Sequence, residues 1–225
     1  MKPTGKPRVK ICCIRSVEEA WMAIEAGASA LGLVSTMPSG PGVIPEPLIT
    51  EIAAAIPPGV ASFLLTSQTE VAAIVAQQRR TRVNTLQICD RLERGTHRDL
   101  RAALPGVAIV QVVHVVGPES LDEAMNAAES ADALLLDSGN QRTAVKELGG
   151  TGRTHDWAIS RRIREAVRVP VFLAGGLNPG NVREAVREVG PFALDVCNGV
   201  RSGGALDRDK LQEFFRQIGG GVTPA

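Results

Sequence analysis

The sequence is poor in aromatic residues and nearly balanced in charge, and each of these features excludes a class of protein. Only 3% of its 225 residues are aromatic, whereas proteins that bind single-stranded nucleic acid stack bases on aromatic side chains. Lys and Arg number 25 against 24 Asp and Glu, a net charge of +1. No overall field would therefore attract nucleic acid or an anionic membrane surface. We expect neither as a partner.

Long apolar runs are also missing. The first residues are basic, and no apolar stretch near them is long enough for a signal peptide. Nowhere does the chain approach the run of about 20 apolar residues that a membrane-spanning helix needs. The sequence therefore favours a cytoplasmic protein.

Cysteine and histidine are few. The four cysteines form no C-x-x-C pair and have no histidine at a metal-ligand spacing, so we predict no metal site; they are Cys12, Cys13, Cys89 and Cys197. In a reducing compartment they should be free thiols. The three histidines form no triad-like pattern with a serine or cysteine, and we interpret each as a surface or rim residue; they are His97, His114 and His155.

Short β-rich runs alternate with amphipathic segments along the whole chain. Eight runs are predicted as strands: Val9–Cys13, Ala30–Val34, Ala61–Leu65, Thr85–Ile88, Ile109–His114, Ala133–Asp137, Val171–Ala174 and Ala193–Val196. The segments between them show helical spacing: Val17–Ala26, Glu46–Ala55, Glu70–Arg80, Pro118–Ser130, Asp156–Ala166 and Pro179–Val189. The helix signal is weakest after the fourth strand, at Asp90–Gly95.

This alternation predicts the fold class α/β and, with eight strands, a closed (β/α)8 TIM barrel rather than a doubly wound sheet. A chain of 225 residues with 44% apolar content can form one such domain, residues 1–225. Residues 219–225 are rich in glycine and are expected to form a flexible C-terminal tail.

Residues at helix ends support the same pattern. Ser16 is a predicted N-cap, and Asn178 before Pro179 fits an N-cap followed by proline at the first helical position. Gly27, Gly106 and Gly190 suit helix C-terminal caps. Asp156 is interpreted as the N-cap of the next-to-last predicted helix rather than as a site residue.

Strand alternation predicts which side chains face the barrel interior. In the first strand it separates two sets: Val9, Ile11 and Cys13 toward the helices, Lys10 and Cys12 toward the interior. In the sixth and eighth strands it groups Asp137 with Leu135, and Asp195 with Ala193 and Cys197. The first and eighth strands are neighbours in a closed barrel, so Lys10 and Asp195 should form an ion pair.

Polar or glycine residues follow three of the apolar strands, at the end of a barrel where active sites are found. These are Asp137 at the end of the sixth strand, Gly175–Gly176 after the seventh and Asn198–Gly199 after the eighth. Glycine turns of this kind suit backbone N–H groups that close around a phosphate, and Arg201 could add charge. Tight turns that require positive φ are the alternative reading of any one of these glycines.

Five motifs, in order along nearly the whole chain, resemble those of the phosphoribosylanthranilate isomerase family. They are Lys10-Ile11-Cys12, Leu135-Leu136-Asp137-Ser138, the segment from Gly149 to Trp157, the segment from Leu173 to Pro179, and the segment from Asp195 to Val200. The resemblance implies a barrel of the ribulose-phosphate-binding type. It also implies an Amadori rearrangement in tryptophan biosynthesis, carried out by a monomer or homodimer without a metal or other cofactor.

The resemblance further implies roles for individual residues. Asp137 would protonate the furanose ring oxygen, which requires a raised pKa, and Cys12 would remove the C2' proton, which requires a lowered one. Residues expected to bind the phosphosugar substrate are Lys10, Gly175, Gly176, Asp195, Asn198, Gly199 and Val200. Without the resemblance, Cys12 would be read as a small buried apolar residue, whereas Asp137 at a strand end would still favour a functional role.

The first half of the chain departs from the family pattern. Cys13 replaces a glycine, the loop Met37–Gly42 lacks the family's arginine, and Cys89-Asp90 replaces His-Gly. The family's Ser-Ser-Gly-Val-Glu becomes Cys197–Arg201. Two alternatives therefore stay open: a diverged paralogue that acts on another phosphorylated sugar or amine, and a non-catalytic barrel that binds a phosphorylated ligand.

Overall fold

Eight parallel strands form a closed barrel in the computed structural model, which describes residues 5–139, 146–150 and 152–219. The strands pair in sequence order, and the eighth returns to pair with the first. The described strands are β1 Arg8–Ile11, β2 Ala30–Val34, β3 Ala61–Thr66, β4 Thr85–Ile88, β5 Ala108–His114, β6 Ala133–Asp137, β7 Val171–Leu173 and β8 Ala193–Val196. The predicted (β/α)8 barrel is confirmed.

Helices follow the strands and cover the outside of the barrel. Their bounds are α1 Val17–Ala26, α2 Glu46–Ala55, α3 Val71–Thr81, α4 His97–Ala103, α5 Ser120–Ala128, α6 Trp157–Ala166, α7 Val182–Val189 and α8 Arg208–Gly219. Between β8 and α8 lie a 3-10 helix, Asn198–Val200, and a short antiparallel pair, β9 Arg201–Ser202 and β10 Ala205–Leu206. Gly219, predicted to begin the tail, ends α8, and residues 220–225 lie outside the described part of the chain.

Two apolar clusters fill the molecule on either side of the barrel wall. Val9 and Ile11 of β1 belong to the cluster between the strands and the helices. Phe63, Leu135 and Phe172 belong to the cluster inside the barrel. Alternate residues of each strand supply the two clusters, because successive side chains of a strand point to opposite faces.

Several predicted helix ends are confirmed. The side chain of Ser16 accepts a hydrogen bond from the backbone N–H of Glu19, and Asp156 caps α6 through the N–H of Ala158. Gly27 and Gly190 end α1 and α7 in the left-handed conformation. Gly106 is not a helix cap, because Leu104 is the C-cap of α4.

The predicted start of α7 at Pro179 is wrong. The helix begins at Val182, and Asn181 occupies the N-cap position. Residues Asn178–Asn181 form a turn instead, in which the Asn181 side chain accepts a hydrogen bond from the N–H of Asn178. This turn carries Asn178 to the rim of the barrel rather than into the helix.

Cys13 does not face the helices, so that part of the strand prediction is also wrong. Strand β1 ends at Ile11, and Cys13 adopts a left-handed backbone conformation with φ +62°. This turn breaks the alternation, and the Cys13 side chain packs with the cluster inside the barrel. Two consecutive thiols, those of Cys12 and Cys13, are therefore found on the same side.

No helix within the described residues is long and apolar enough to cross a membrane.

Candidate active site

A cavity of about 270 Å³ opens at the carboxyl ends of the strands. Seven of the nine predicted site residues line it: Cys12, Asp137, Gly175, Gly176, Asp195, Asn198 and Gly199. Its volume is close to the lower end of the range for small-molecule sites. Lys10 and Val200 are not among its lining residues, and both are fully buried.

Lys10 lies inside the barrel and pairs with Asp195. Its Nζ is 2.8 Å from Asp195 Oδ1, as the adjacency of β1 and β8 predicts. Burial alone would lower the pKa of Lys10, but the charges of Asp195 and Cys12 outweigh it and raise that pKa above its ordinary value. Lys10 therefore stays cationic, and its charge acts on Asp195 and Cys12, which line the cavity.

Cys12 faces the barrel interior, as predicted. Gly32 on the neighbouring strand makes room for it, because a methyl group at Gly32 would lie 2.8 Å from Cys12 Sγ and 3.0 Å from Lys10 Nζ. The hydrogen bond from the Cys13 thiol is the largest influence on the pKa of Cys12. That bond and the charge of Lys10 lower the pKa below its ordinary value despite burial.

Asp137 is buried at the end of β6, with only 7% of its surface exposed. Its Oδ1 accepts a hydrogen bond of 2.7 Å from the backbone N–H of Ser138. Burial raises the pKa of Asp137 above its ordinary value, although this hydrogen bond and the nearby His114 act in the opposite direction. Gly149 covers the carboxyl group closely, because a methyl group there would lie 2.8 Å from Oδ2.

The glycines after β7 and β8 allow neighbouring loops to pack backbone against backbone: the loop after β7 against the loop after β6, and the loop after β8 against the loop after β7. A methyl group on Gly176 would lie 2.7 Å from the carbonyl carbon of Arg153, and one on Gly199 would lie 2.8 Å from Asn178 Cα. Gly175 and Gly176 also have positive φ, +81° and +63°. Both facts require glycine for the fold itself, and the same glycines leave backbone groups exposed on the cavity wall.

Arg201 braces the thiol-bearing loop rather than lining the cavity. Its Nη2 donates to the carbonyl oxygens of Cys13, at 2.6 Å, and Cys12, at 3.3 Å. Its Nη1 pairs with Glu19 at 3.0 Å. The suggestion that Arg201 adds charge to a phosphate site is therefore not supported, because its guanidinium is committed to these partners.

The loop Met37–Gly42 forms one side of the cavity, through Met37, Ser39, Gly40 and Pro41. Ser39 Oγ donates to the carbonyl oxygen of Lys146 at 2.7 Å and so ties this loop to the one after β6. Among the described residues that line the cavity there is no Lys, Arg or His. The side chains on this wall are therefore uncharged where the family pattern has an arginine.

Gln87 was not among the predicted site residues, although a polar side chain in an otherwise apolar strand can indicate a functional position. Its side chain is 4% exposed and lines the cavity from β4. Within the described part of the chain, Gln87 Oε1 has no hydrogen-bond partner, and Nε2 makes only a 3.8 Å contact with Cys89 Sγ. A buried acceptor without a partner is unfavourable, so Gln87 is well placed to accept from a ligand.

The surface or rim interpretation is wrong for His114. This residue is 5% exposed, lies opposite Asp137 on β5 and donates from Nε2 to the carbonyl oxygen of Cys89. His97 and His155 are half-buried. Burial lowers the pKa of His155 to about 4, so its ring is neutral, and its Nε2 lies 2.6 Å from Ser160 Oγ.

Fold and site together define a (β/α)8-barrel enzyme with a thiol and a carboxyl group in one cavity. The family model of N-(5'-phosphoribosyl)anthranilate (PRA) isomerase matches residues 9–217. An N-(5'-phosphoribosyl)anthranilate isomerase of Methanocella arvoryzae is 34% identical over 94% of this chain and 97% of its own. One of Haloarcula marismortui is 38% identical over 93% and 94%, respectively. The chain belongs to the N-(5'-phosphoribosyl)anthranilate isomerase family.

Solved structures agree with this membership. The phosphoribosylanthranilate isomerase of Thermotoga maritima has a TM-score of 0.78 and 30% identity, over 95% of this chain and 99% of that one. An isomerase in complex with reduced 1-(o-carboxyphenylamino)-1-deoxyribulose 5-phosphate has a TM-score of 0.77 and 28% identity, with the same coverage. Monomers generated from the dimeric Thermotoga maritima enzyme give 0.76 and 27%, also with the same coverage.

Proposed function

We propose that this chain converts N-(5'-phosphoribosyl)anthranilate into 1-(2-carboxyphenylamino)-1-deoxyribulose 5-phosphate, the isomerisation step of tryptophan biosynthesis, by general acid–base catalysis. Family membership supports the reaction. The observation that carries the assignment of residues is that Cys12 and Asp137 line one cavity from different strands. A thiol and a carboxyl group so placed can act on the two ends of a short sugar segment.

Asp137 is the proposed general acid. Its proton passes to the furanose ring oxygen, the bond from that oxygen to C1' breaks, and the nitrogen lone pair forms a protonated Schiff base. Burial raises the pKa of Asp137 and so increases the fraction of the acid form at neutral pH. The backbone N–H of Ser138 then stabilises the carboxylate that remains.

Cys12 is the proposed general base. Its thiolate removes the proton from C2' of the Schiff base, and the resulting enolamine tautomerises to the ketone. A free thiol is only slightly ionised at neutral pH, so the role depends on a lowered pKa. The Cys13 thiol and the charge of Lys10 supply this effect.

The phosphate end of the substrate is proposed to lie at the loops after β7 and β8. Gly175, Gly176, Asn198 and Gly199 line the cavity there, and backbone N–H groups of glycine turns suit a dianion. Asp195, on the same wall, is proposed to accept a hydrogen bond from a ribose hydroxyl. Lys10 would contribute through Asp195 and Cys12, because it does not reach the cavity surface.

Val200 has a weaker case as a substrate-binding residue. Its side chain is fully buried in the cluster between strands and helices, and its backbone N–H bonds to the carbonyl oxygen of Cys197 at 3.4 Å. We therefore propose that Val200 shapes the 3-10 helix that presents Asn198 and Gly199, without touching the substrate.

A diverged paralogue is the second candidate, and one observation favours it. The cavity wall at Met37–Gly42 offers no cation among the described residues, although anthranilate carries a carboxylate. A substrate in which a neutral group replaces the aryl carboxylate would suit that wall. The two candidates share the acid, the base and the phosphate site, and differ at the far end of the ligand.

Complementation and purified-enzyme assays test the proposal. A tryptophan auxotroph that lacks this isomerase should grow with the wild-type chain, and Cys12→Ser and Asp137→Asn should abolish growth. With purified protein, each variant should lower kcat by roughly 100-fold or more and leave product binding within a few-fold. Absence of turnover by a folded wild-type protein would contradict the proposal and favour the paralogue or a binding protein.

The cellular location and the oligomeric state stay predictions. We propose a cytosolic protein, as expected from the sequence, and a monomer or homodimer. Cell fractionation and light scattering across protein concentrations test these two points separately.

A further inference from the structure

Two cysteines to which the catalytic proposal gives no proton-transfer step lie in contact at the edge of the cavity. Cys13 Sγ and Cys197 Sγ are 2.7 Å apart, closer than two sulfur atoms without a bond usually approach, and both residues line the cavity. They come from the loops after β1 and β8, which are neighbouring strands. Among the described residues no disulfide joins any of the cysteines.

We propose that Cys13 and Cys197 form a peroxide-sensitive dithiol, which hydrogen peroxide converts into a disulfide that reversibly inactivates the enzyme. Disulfide formation needs two sulfurs whose backbones already bring them together, because large deviations from standard geometry store strain. The contact of 2.7 Å already brings the two sulfurs within about 1 Å of bonding distance.

The scaffold holds the two thiols in this arrangement. Arg201, four residues after Cys197, donates to the carbonyl oxygen of Cys13 at 2.6 Å and pairs with Glu19. A hydrogen bond therefore joins the segment that carries one cysteine to the residue that carries the other. Gly42 leaves space for the Cys13 side chain, because a methyl group there would lie 2.8 Å from Cys13 Sγ.

The two cysteines differ in exposure, which suits a two-step oxidation. Cys197 is half-buried, whereas Cys13 is buried. A peroxide reaches Cys197 first: its sulfur attacks the peroxide, the S–O bond forms and the O–O bond breaks, and the thiol proton leaves with the displaced oxygen as water. The sulfur of Cys13 then attacks the sulfenic sulfur, the S–S bond forms as the S–O bond breaks, and the sulfenic hydroxyl leaves as water with the proton of the Cys13 thiol.

Oxidation of Cys13 and Cys197 would slow catalysis by its effect on the neighbouring base, Cys12. The Cys13 thiol is the group that most lowers the pKa of Cys12 in the reduced chain. Cys12 and Cys13 are consecutive and both line the cavity, so a disulfide at Cys13 changes the immediate surroundings of the Cys12 sulfur and removes the Cys13 proton that favours its thiolate. We expect at least a tenfold fall in kcat/KM, and its pH profile should show the basic group titrating at higher pH.

The test is peptide mapping of the full chain after treatment with hydrogen peroxide and removal of the excess with catalase. The expected result is a Cys13–Cys197 disulfide that dithiothreitol reduces, with recovery of activity on the same time course. Cys197→Ser should form no such bond, and its loss of activity should be slower than that of the wild type. Cys89→Ala is the matched control, since it removes a buried cysteine outside the pair and should leave the disulfide intact.

Three outcomes would overturn the proposal. The first is a disulfide that joins other cysteines. The second is oxidation only to acids of Cys12. The third is equal peroxide sensitivity of wild type and Cys197→Ser. Because the bond is detected by mass, the result does not depend on which substrate the enzyme isomerises.

Discussion

Lys10 Nζ and Asp195 Oδ1 lie 2.8 Å apart inside the barrel, with Asp195 on the cavity wall and Lys10 behind it. Lys10 is fully buried and Asp195 is 8% exposed. Burying a charged pair is often no more stabilising than an apolar pair, whereas leaving one charge alone is strongly destabilising. Removal of either partner should therefore lower stability, and removal of Lys10 should also raise the pKa of Cys12.

Lys10→Met should lower the free energy of unfolding by about 3–5 kcal/mol, because it leaves Asp195 buried and without its cation. The double variant Lys10→Met/Asp195→Asn should recover part of this loss. Urea denaturation of the two single variants and the double variant measures the coupling. Equal losses for Lys10→Met and the double variant would show that the ion pair has no such role.

Gly32→Ala should impair catalysis more than stability, because the new methyl group would press on Cys12 Sγ and Lys10 Nζ. We expect kcat to fall by about tenfold or more and the melting temperature to drop by a few degrees. Gly219→Ala is the control, since its methyl group would make only an ordinary contact with Lys6. An unchanged kcat in Gly32→Ala would mean that the base does not depend on this spacing.

Gln87→Met should weaken the binding of the aryl amine end of the substrate. The loops after β7 and β8 form the proposed phosphate site, and β4 lies across the barrel from them. Gln87 lines the cavity from β4, so we expect its Oε1 to meet the end of the substrate that carries the amine N–H. Loss of one hydrogen bond to a ligand should raise KM by about 3–10-fold with a smaller change in kcat.

Product binding and phosphate binding distinguish this role of Gln87 from a structural one. Calorimetry should show weaker binding of the product analogue and unchanged binding of inorganic phosphate. If both ligands weaken equally, Gln87 shapes the cavity as a whole and does not contact the amine end.

Stability should fall below neutral pH because of His155. Its pKa in the folded chain is about 4, lowered by burial, whereas an ordinary histidine titrates near 6.5. A depressed pKa means that the unfolded chain takes up the proton first, so stability is lost as the pH falls from 6.5 toward 4. Complete protonation would contribute a loss of about 3 kcal/mol or less.

His155→Gln should flatten this part of the stability profile, since glutamine can still bond to Ser160 and does not titrate. Denaturation midpoints between pH 7 and pH 4 measure the difference between the variant and the wild type. Parallel profiles for the two proteins would contradict the assignment.

The prediction of α4 shows where sequence signals were insufficient. Asp90–Gly95 carried a mixed signal because those residues form an irregular segment, and the helix begins later, at His97. Its start has a capping box between Thr96 and Asp99, which is a local sequence signal. The cap residues therefore mark the start of α4 in the sequence, whereas the irregular path from Asp90 to Gly95 that precedes it could not be predicted.

Hydrophobic periodicity by itself determined the barrel, because eight apolar runs with intervening amphipathic segments have few other ways to bury their faces. It also placed Cys12, Asp137 and the Lys10–Asp195 pair on the inner face. Only the tertiary structure decided the position of Cys13, because a left-handed residue ends the strand alternation there. The contact with Cys197, the spacing at Gly32 and the commitment of Arg201 to the loop carbonyls likewise depend on packing between strands distant in sequence.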